Sequence, residues 1–182
     1  MHPFHFSAGD GSTAIPQEPM DLFIHARPVE SLENVRCNAH MNLFLCQFPG
    51  QRFPHDLLFL RKDGTWIFRR PFSGGNSPLR FEYGKMRYGV LFPGELLNPG
   101  SVLLVKRAGV DFLLGFDPVP GGSLESLLLQ SVVFDAEVPL LYGFSRQGRW
   151  KFWFFSPGAP GRVCQKEILS CPFSLSIEIP QR

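Results

Sequence analysis

The chain has 182 residues, 44% of them hydrophobic, with 19 Phe, 17 Pro and 18 Gly. That length and apolar content can bury a core without metal or disulfide staples, which excludes a disordered chain, and the Pro and Gly favour short elements joined by turns over long helices. Eighteen basic residues against 16 acidic ones leave a formal charge of only +2, and no basic run exceeds Arg69-Arg70, so charge-driven nucleic-acid binding is not expected.

Met1 to Met20 is polar and broken by Pro3, Gly9, Gly11, Pro16 and Pro19. It reads as a flexible leader, residues 1–20, without the apolar centre of a signal peptide. Within it, Gly9-Asp10-Gly11-Ser12-Thr13 resembles a phosphate-cradling loop but lacks the Gly-Lys-Ser/Thr ending and a preceding strand. The remainder, 21–182, reads as a single β domain. No apolar run approaches the roughly 20 residues needed to span a bilayer, so no membrane contact is expected and the chain is placed inside the cell, with its four cysteines reduced.

The first strand lies in Gln17 to Leu32. Leu22, Ile24 and Ala26 fall on one face and Asp21, Phe23, His25 and Arg27 on the other, the period-two pattern of a half-buried strand, and Pro28 is expected to end it. Cys37, His40 and Cys46 follow at Cys-x2-His-x5-Cys spacing, with His25 or His55 available as a fourth zinc ligand. Structural zinc sites use tighter Cys-x2-Cys or His-x3-His pairs, so the competing reading, small buried hydrophobes beside a strand, is preferred and no metal is assigned. Cys164 and Cys171 are read as packing residues.

Asn42 to Phe48 is a candidate strand stopped by Pro49-Gly50. Leu57 to Arg70 is the clearest local structure, two strands joined by Lys62-Asp63-Gly64, because Asp-Gly supplies the positive φ that a tight turn needs. After a loop at Phe72 to Pro78, Leu79 to Phe92 supplies one or two strands. Val102 to Arg107 and Val110 to Phe116 read as a second hairpin about Ala108-Gly109. Ser123 is a candidate N-cap for one short helix, Leu124 to Gln130. Strands resume at Pro139 to Phe144, Arg149 to Phe155 and Phe173 to Ile179. Trp150 to Phe155 is apolar on both faces, which marks a strand covered on both sides; the alternative is an exposed aromatic patch at Trp153 and Phe155.

Four landmarks occur in order: the Gln17 to Leu32 strand, the Leu57 to Arg70 hairpin followed by Pro71-Phe72-Ser73-Gly74, the Tyr88 to Pro93 strand, and Gln147 to Phe152 leading to Phe173 to Ile179. This succession resembles the herpesvirus dUTPase-related proteins, which include betaherpesvirus matrix and tegument phosphoproteins and gammaherpesvirus relatives, over roughly residues 17 to 179. The resemblance implies an all-β fold, a mostly antiparallel sandwich or jelly roll. Members usually carry two such domains, and this chain holds little more than one.

Enzymatic dUTP hydrolysis needs a hairpin tyrosine against the sugar. In Ala108-Gly109-Val110-Asp111-Phe112-Leu113-Leu114-Gly115, leucines stand where that tyrosine belongs, and no Arg-Ser-Gly phosphate motif follows. No Ser/His/Asp set or nucleophile elbow can be assembled from spacing either. The resemblance therefore implies a noncatalytic module that binds host factors in innate signalling, transcription or nuclear transport, with a structural tegument protein as the alternative and residual dUTP hydrolysis behind both. No catalytic residue, cofactor or small-molecule substrate is assigned. The partners are host or viral proteins, and the location is host nucleus, cytoplasm or virion tegument. The candidate partner surface is Arg61, Arg69, Arg70, Arg80 and Arg87, with Trp153 and Phe155; its competing reading is arginines that keep a sheet edge soluble.

Overall fold

A computed structural model describes residues 2–9, 20–31, 39–47, 49–50, 54–72, 79–117, 126–146, 149–157 and 165–179. The chain divides into two compact units, Met1–Ser77 with Ser170–Arg182, and Pro78–Leu169. The first unit opens with five strands: β1 (His2–Gly9), β2 (Leu22–Val29), β3 (Met41–Cys46), β4 (Asp56–Arg61) and β5 (Trp66–Pro71). The second holds β6 (Arg80–Tyr83), β7 (Met86–Leu91), α1 (Pro93–Leu96), α2 (Pro99–Arg107), β8 (Phe112–Asp117), α3 (Ser126–Ala136), β9 (Leu140–Arg146), β10 (Arg149–Ser156) and β11 (Gln165–Ser170). A last strand, β12 (Phe173–Ile179), returns to the first unit.

Each unit carries one six-stranded sheet, ordered β12-β1-β2-β3-β4-β5 and β11-β10-β9-β8-β7-β6. In the first, β1, β2 and β3 pair in parallel, while β12 and β4 flank them antiparallel. In the second, β7, β8 and β9 are parallel, with β6 and β10 antiparallel beside them. An antiparallel jelly roll is therefore not the fold. Two-residue hairpins can serve antiparallel neighbours, but parallel neighbours need crossover connections of about a dozen residues or more. Two of these crossovers carry helices, α1 and α2 from β7 to β8 and α3 from β8 to β9.

Several local expectations change for the same reason. Residues 2–9, placed in a flexible leader, form β1 and pair with both β12 and β2. Strand β2 is buried without alternation from Leu22 to Ala26, as a central strand covered on both faces must be. It runs through Pro28 to Val29 instead of ending there, past a register irregularity between His25 and Val29, where a missing N–H is tolerated. The Leu57 to Arg70 hairpin forms as β4 and β5. Gly64 sits at φ 81, and the Asp63 carboxylate accepts hydrogen bonds from the Thr65 amide and hydroxyl at 2.9 and 2.7 Å.

Val102 to Arg107 is helix α2, not a strand. Asn98 caps it by accepting a hydrogen bond from the Gly100 amide at 2.9 Å, Pro99 occupies the first turn, and Lys106 and Arg107 lie at the carbonyl end. Val102 and Val105 are buried while Leu103 and Leu104 are exposed, so the apolar run carried no alternation to read. The helix closes on Gly109 at φ 65, whose amide donates to Lys106 O while that of Val110 donates to Val105 O, the paired bonds of a Schellman stop. The single short helix expected at Leu124 to Gln130 is the longer α3; its expected cap, Ser123, lies outside the described residues.

One core cluster of the second unit joins Val102 and Val105 of α2 and Leu129, Val132 and Val133 of α3 to Leu91, Leu113, Leu140, Tyr142 and Phe155 of the strands. Each such burial contributes about 1.5–3 kcal/mol. Phe155 is fully buried there and Trp153 packs against the cluster half-buried, so the strand reading of β10 holds and the aromatic pair is not a surface patch.

A Cβ at Gly109 would stand 2.7 Å from Arg87 Nη1, in a backbone conformation that side chains resist. Gly109→Ala is expected to lower the unfolding free energy by about 1 kcal/mol or more, read as a reduced urea midpoint at unchanged slope. An unchanged midpoint would show that the stop of α2 is not set by this glycine.

Candidate functional site

At one end of the first sheet the ladder brings Val29, Cys46 and Asp56 into line, Val29 opposite Cys46 and Cys46 opposite Asp56. Because side chains alternate along a strand, Leu58 shares the face of Asp56, and Arg69, opposite Leu58, shares it too. Trp66 is three residues from Arg69 and would ordinarily face the other way. The register shift between Phe59 and Leu60 sets Trp66 opposite Leu60, so the extra residue restores it to the same face. Main-chain bonds fix the loops around this band: Gln47 N to Val29 O at 2.9 Å, His55 N to Cys46 O at 2.8 Å and Phe72 N to His55 O at 2.8 Å.

The side chains of this band, with Glu30, Ser31, Gln47 and His55, line a cavity of about 310 Å³. Its electrostatic centre is Asp56, whose side chain is only 6% exposed. Oδ2 accepts hydrogen bonds from Arg69 Nε at 2.9 Å and Nη2 at 2.6 Å, and lies 3.3 Å from His55 Nε2. A buried carboxylate is costly without such donors, and the guanidinium supplies them in charge-assisted form. Burial, reinforced by the Asp56 charge and opposed by Arg69, pushes the Cys46 thiol up to about 11. Cys46 is therefore a neutral thiol near neutral pH, and using it as a nucleophile requires a base that removes the proton as the bond forms.

Among the proposed zinc ligands, Cys37 lies outside the described residues. His40 is exposed, and His25 belongs to the apolar packing, stacked on Phe44 at 3.9 Å and edge-on to Phe23 at 4.7 Å. Among the described residues no three His, Cys, Asp or Glu side chains group as metal ligands. No helix among them is long and apolar enough to cross a membrane.

The arginines do not make one basic edge. Arg70 is buried; Arg69, Arg80 and Arg87 are engaged by Asp56, Glu82 and Asp111, and Arg61 is exposed. Asp111, which lies in the Ala108 to Gly115 stretch, accepts a hydrogen bond from the Arg87 amide at 2.9 Å and so ties the start of β8 to β7. Asp56, Glu30 and Trp66 escaped the sequence reading, because the cavity gathers residues from four strands and linear spacing carries no sign of it. The adjacent His55-Asp56, following Cys46 across one connection, was the nearest visible signal.

No family model matches the chain, and no curated protein matches it in sequence. Solved structures do match in fold. The NitN amidase from Nesterenkonia sp. AN1 is 14% identical, covering 99% of this chain and 93% of that one with a TM-score of 0.57. A variant of the amidase from Nesterenkonia sp. AN1, with acrylamide added at its active-site cysteine, matches at 14% identity, 99% and 94% coverage and TM-score 0.57. The glutamine-dependent NAD+ synthetase from Acinetobacter baumannii matches at 14% identity over 96% of this chain and 45% of its own, with a TM-score of 0.60. The Nesterenkonia amidase belongs to the nitrilase superfamily, and the two mixed sheets of this chain have that fold.

A fold match over nearly the whole chain overturns the dUTPase-related resemblance. The herpesvirus identity, the tegument alternative and the reading as a module with a lost active site fall with it. The host and virion partners and the locations proposed above rested on that resemblance alone.

Burial lowers His25 to about 4 from an ordinary 6.5, with a hydrogen bond to Asn42 opposing. The unfolded chain therefore binds a proton that the folded chain refuses between those values. Stability is full above about pH 6.5 and falls as the pH drops toward 4, by on the order of 3 kcal/mol at most. His25→Phe is expected to flatten this part of the stability profile in urea titrations at pH 4.5 and 7.5; an unchanged slope would place the titration elsewhere.

Proposed function

We propose that the chain is a hydrolase of small amides with Cys46 as nucleophile. The observation that carries this reading is the cavity at the end of β3 and β4, where Cys46 and His55 stand around the buried Asp56. The likeness in fold to amidases, one of them with a reactive cysteine at its active site, supports the same class of chemistry.

The raised thiol pKa sets what the neighbours must do. An imidazole can accept a proton near neutral pH, and His55 is the imidazole lining this cavity. In the proposed step the Cys46 proton passes to His55 as sulfur bonds to the amide carbonyl carbon. The C–N bond then breaks while the leaving nitrogen takes that proton, releasing ammonia or an amine. Water, deprotonated by His55, cleaves the thioester to a carboxylic acid, and the proton returns to sulfur. Asp56, held by Arg69, orients the imidazole and stabilises its charged form.

Ammonia release from propionamide is expected to disappear in Cys46→Ser and to fall on the order of 10²-fold in His55→Gln. Tandem mass spectrometry should find acrylamide on Cys46 in the unaltered protein. A free cysteine is partly thiolate at pH 8, whereas a thiol with its pKa near 11 is about a thousandth ionised. Labelling of Cys46 no faster than that fraction allows, unchanged by His55→Gln, together with amide turnover that survives Cys46→Ser, would remove this residue from the chemistry.

A further inference from the structure

We propose that the cavity binds a small carboxylic acid with an apolar or aromatic body, its carboxylate on the outer edge of the Arg69 guanidinium and its body against Trp66. This is a binding site and does not depend on the chemistry proposed for Cys46.

The guanidinium is only partly used. Nε and Nη2 both donate to Asp56 Oδ2, at 2.9 and 2.6 Å, and Nη1 makes no hydrogen bond or ion pair among the described residues. The fork therefore keeps its end, Nη1 with the second N–H of Nη2, for another planar acceptor, and a carboxylate can take both in the bidentate form. The two partners also differ in exposure, the Asp56 side chain being 6% exposed and that of Arg69 51%. The negative partner is thus turned inward, and Arg69 presents the positive one to the cavity that it lines. Because Asp56 already restrains the guanidinium, a ligand need not order it on binding.

Strand register sets an apolar wall beside that edge. On β5, Arg69 lies opposite Leu58 and Trp66 opposite Leu60, consecutive positions on one face about 7 Å apart along the strand. Leu58 is buried with Phe44 and Leu60, and Val29 and Cys46 pack against the same cluster, so the floor next to Arg69 is apolar. Trp66 lines the cavity and is 60% exposed, which leaves indole surface for a ring or chain. Glu30 also lines the cavity, but it follows the end of β2, three strand spacings or about 14 Å of sheet from β5, beyond the Debye length at physiological salt. Its charge does not set the preference at Arg69.

Position and size agree with a ligand site. Val29 and Cys46 stand at the carboxyl ends of the parallel strands β2 and β3, the end at which open sheets with parallel strands bind their ligands. About 310 Å³ lies at the small end of ligand cavities, which suits an acid with one ring.

The test titrates sodium 3-phenylpropionate calorimetrically into the full chain, with 3-phenyl-1-propanol and 3-phenylpropylammonium chloride as neutral and cationic counterparts and sodium propionate as the acid without the ring. Phenylpropionate should bind about ten-fold tighter than the alcohol or the ammonium, and higher salt should weaken it. It should bind about five-fold tighter than propionate, and Trp66→Ala, at an exposed position where folding is retained, should erase that advantage. Asp56→Asn combined with Arg69→Gln removes both charges together, so no buried charge is left alone, and should erase the preference for acid over alcohol. Cys46→Ser should bind phenylpropionate unchanged.

Equal binding of acid and alcohol, preference for the ammonium, no binding of any probe, or indifference of phenylpropionate to Trp66→Ala or to the paired substitution would overturn the proposal. If the paired variant does not fold, the charge series and Trp66→Ala decide it. Amide turnover that disappears in Cys46→Ser, together with equal binding of acid and alcohol, would keep the hydrolase and refute the acid site. Selective binding of the acid without turnover would keep the site and refute the hydrolase.

Discussion

Parallel pairing of the three central strands in each sheet is the constraint from which the rest of the structure follows. Parallel neighbours cannot be joined by a tight turn, so each pair demands a crossover, and a strand flanked by such neighbours is buried on both faces. That is why β8 is buried throughout, and why α2 and α3 lie between the parallel strands of the second unit with their valines and leucines in its core. The two sheets repeat the same succession of pairings, antiparallel, parallel, parallel, antiparallel, although their sequences share no visible repeat.

The cavity depends on the same register. Cys46 faces Asp56 because β3 and β4 are antiparallel neighbours, and Val29 reaches Cys46 only because the irregularity in β2 lets the strand continue past Pro28. One extra residue in β5 decides that Trp66 joins Arg69 on the cavity face. The cavity lining thus gathers on one face of the first sheet, around a buried Asp56 held by the half-exposed Arg69, with Trp66 and Glu30 exposed. The cost of burying Asp56 is offset by the guanidinium that fixes it, and burial, reinforced by the Asp56 carboxylate, keeps the adjacent thiol protonated.

The failure of the family resemblance has a physical explanation. Its landmarks were short apolar runs ended by Pro or Gly, and most of them are real strands: β2, β4 with β5, β7, and β10 leading to β12. Such a run reports that a segment is extended and covered. It says nothing of the direction of its neighbours, and direction separates a jelly roll from the mixed sheets found here. Val102 to Arg107 is a different case, since the signals were present: Asn98-Pro99 before the run and Ala108-Gly109 after it are a helix start and stop, and Ala108-Gly109 was taken instead as the turn of a hairpin.

Local backbone chemistry was legible along the chain because it depends on neighbours in sequence: the Asp63-Gly64 turn, the doubly covered strand at Trp150 to Phe155, the β-rich character and the ends of most strands. Pairing order, strand direction and the convergence of Glu30, Cys46, His55, Asp56, Trp66 and Arg69 depend on contacts between segments distant in the chain. Those contacts are selected by the closure of the whole sheet, where moving one strand by a single residue turns every side chain to the opposite face. A cysteine read as simple packing, a histidine weighed as a zinc ligand and an arginine assigned to a basic edge became one cavity only when four strands were set side by side.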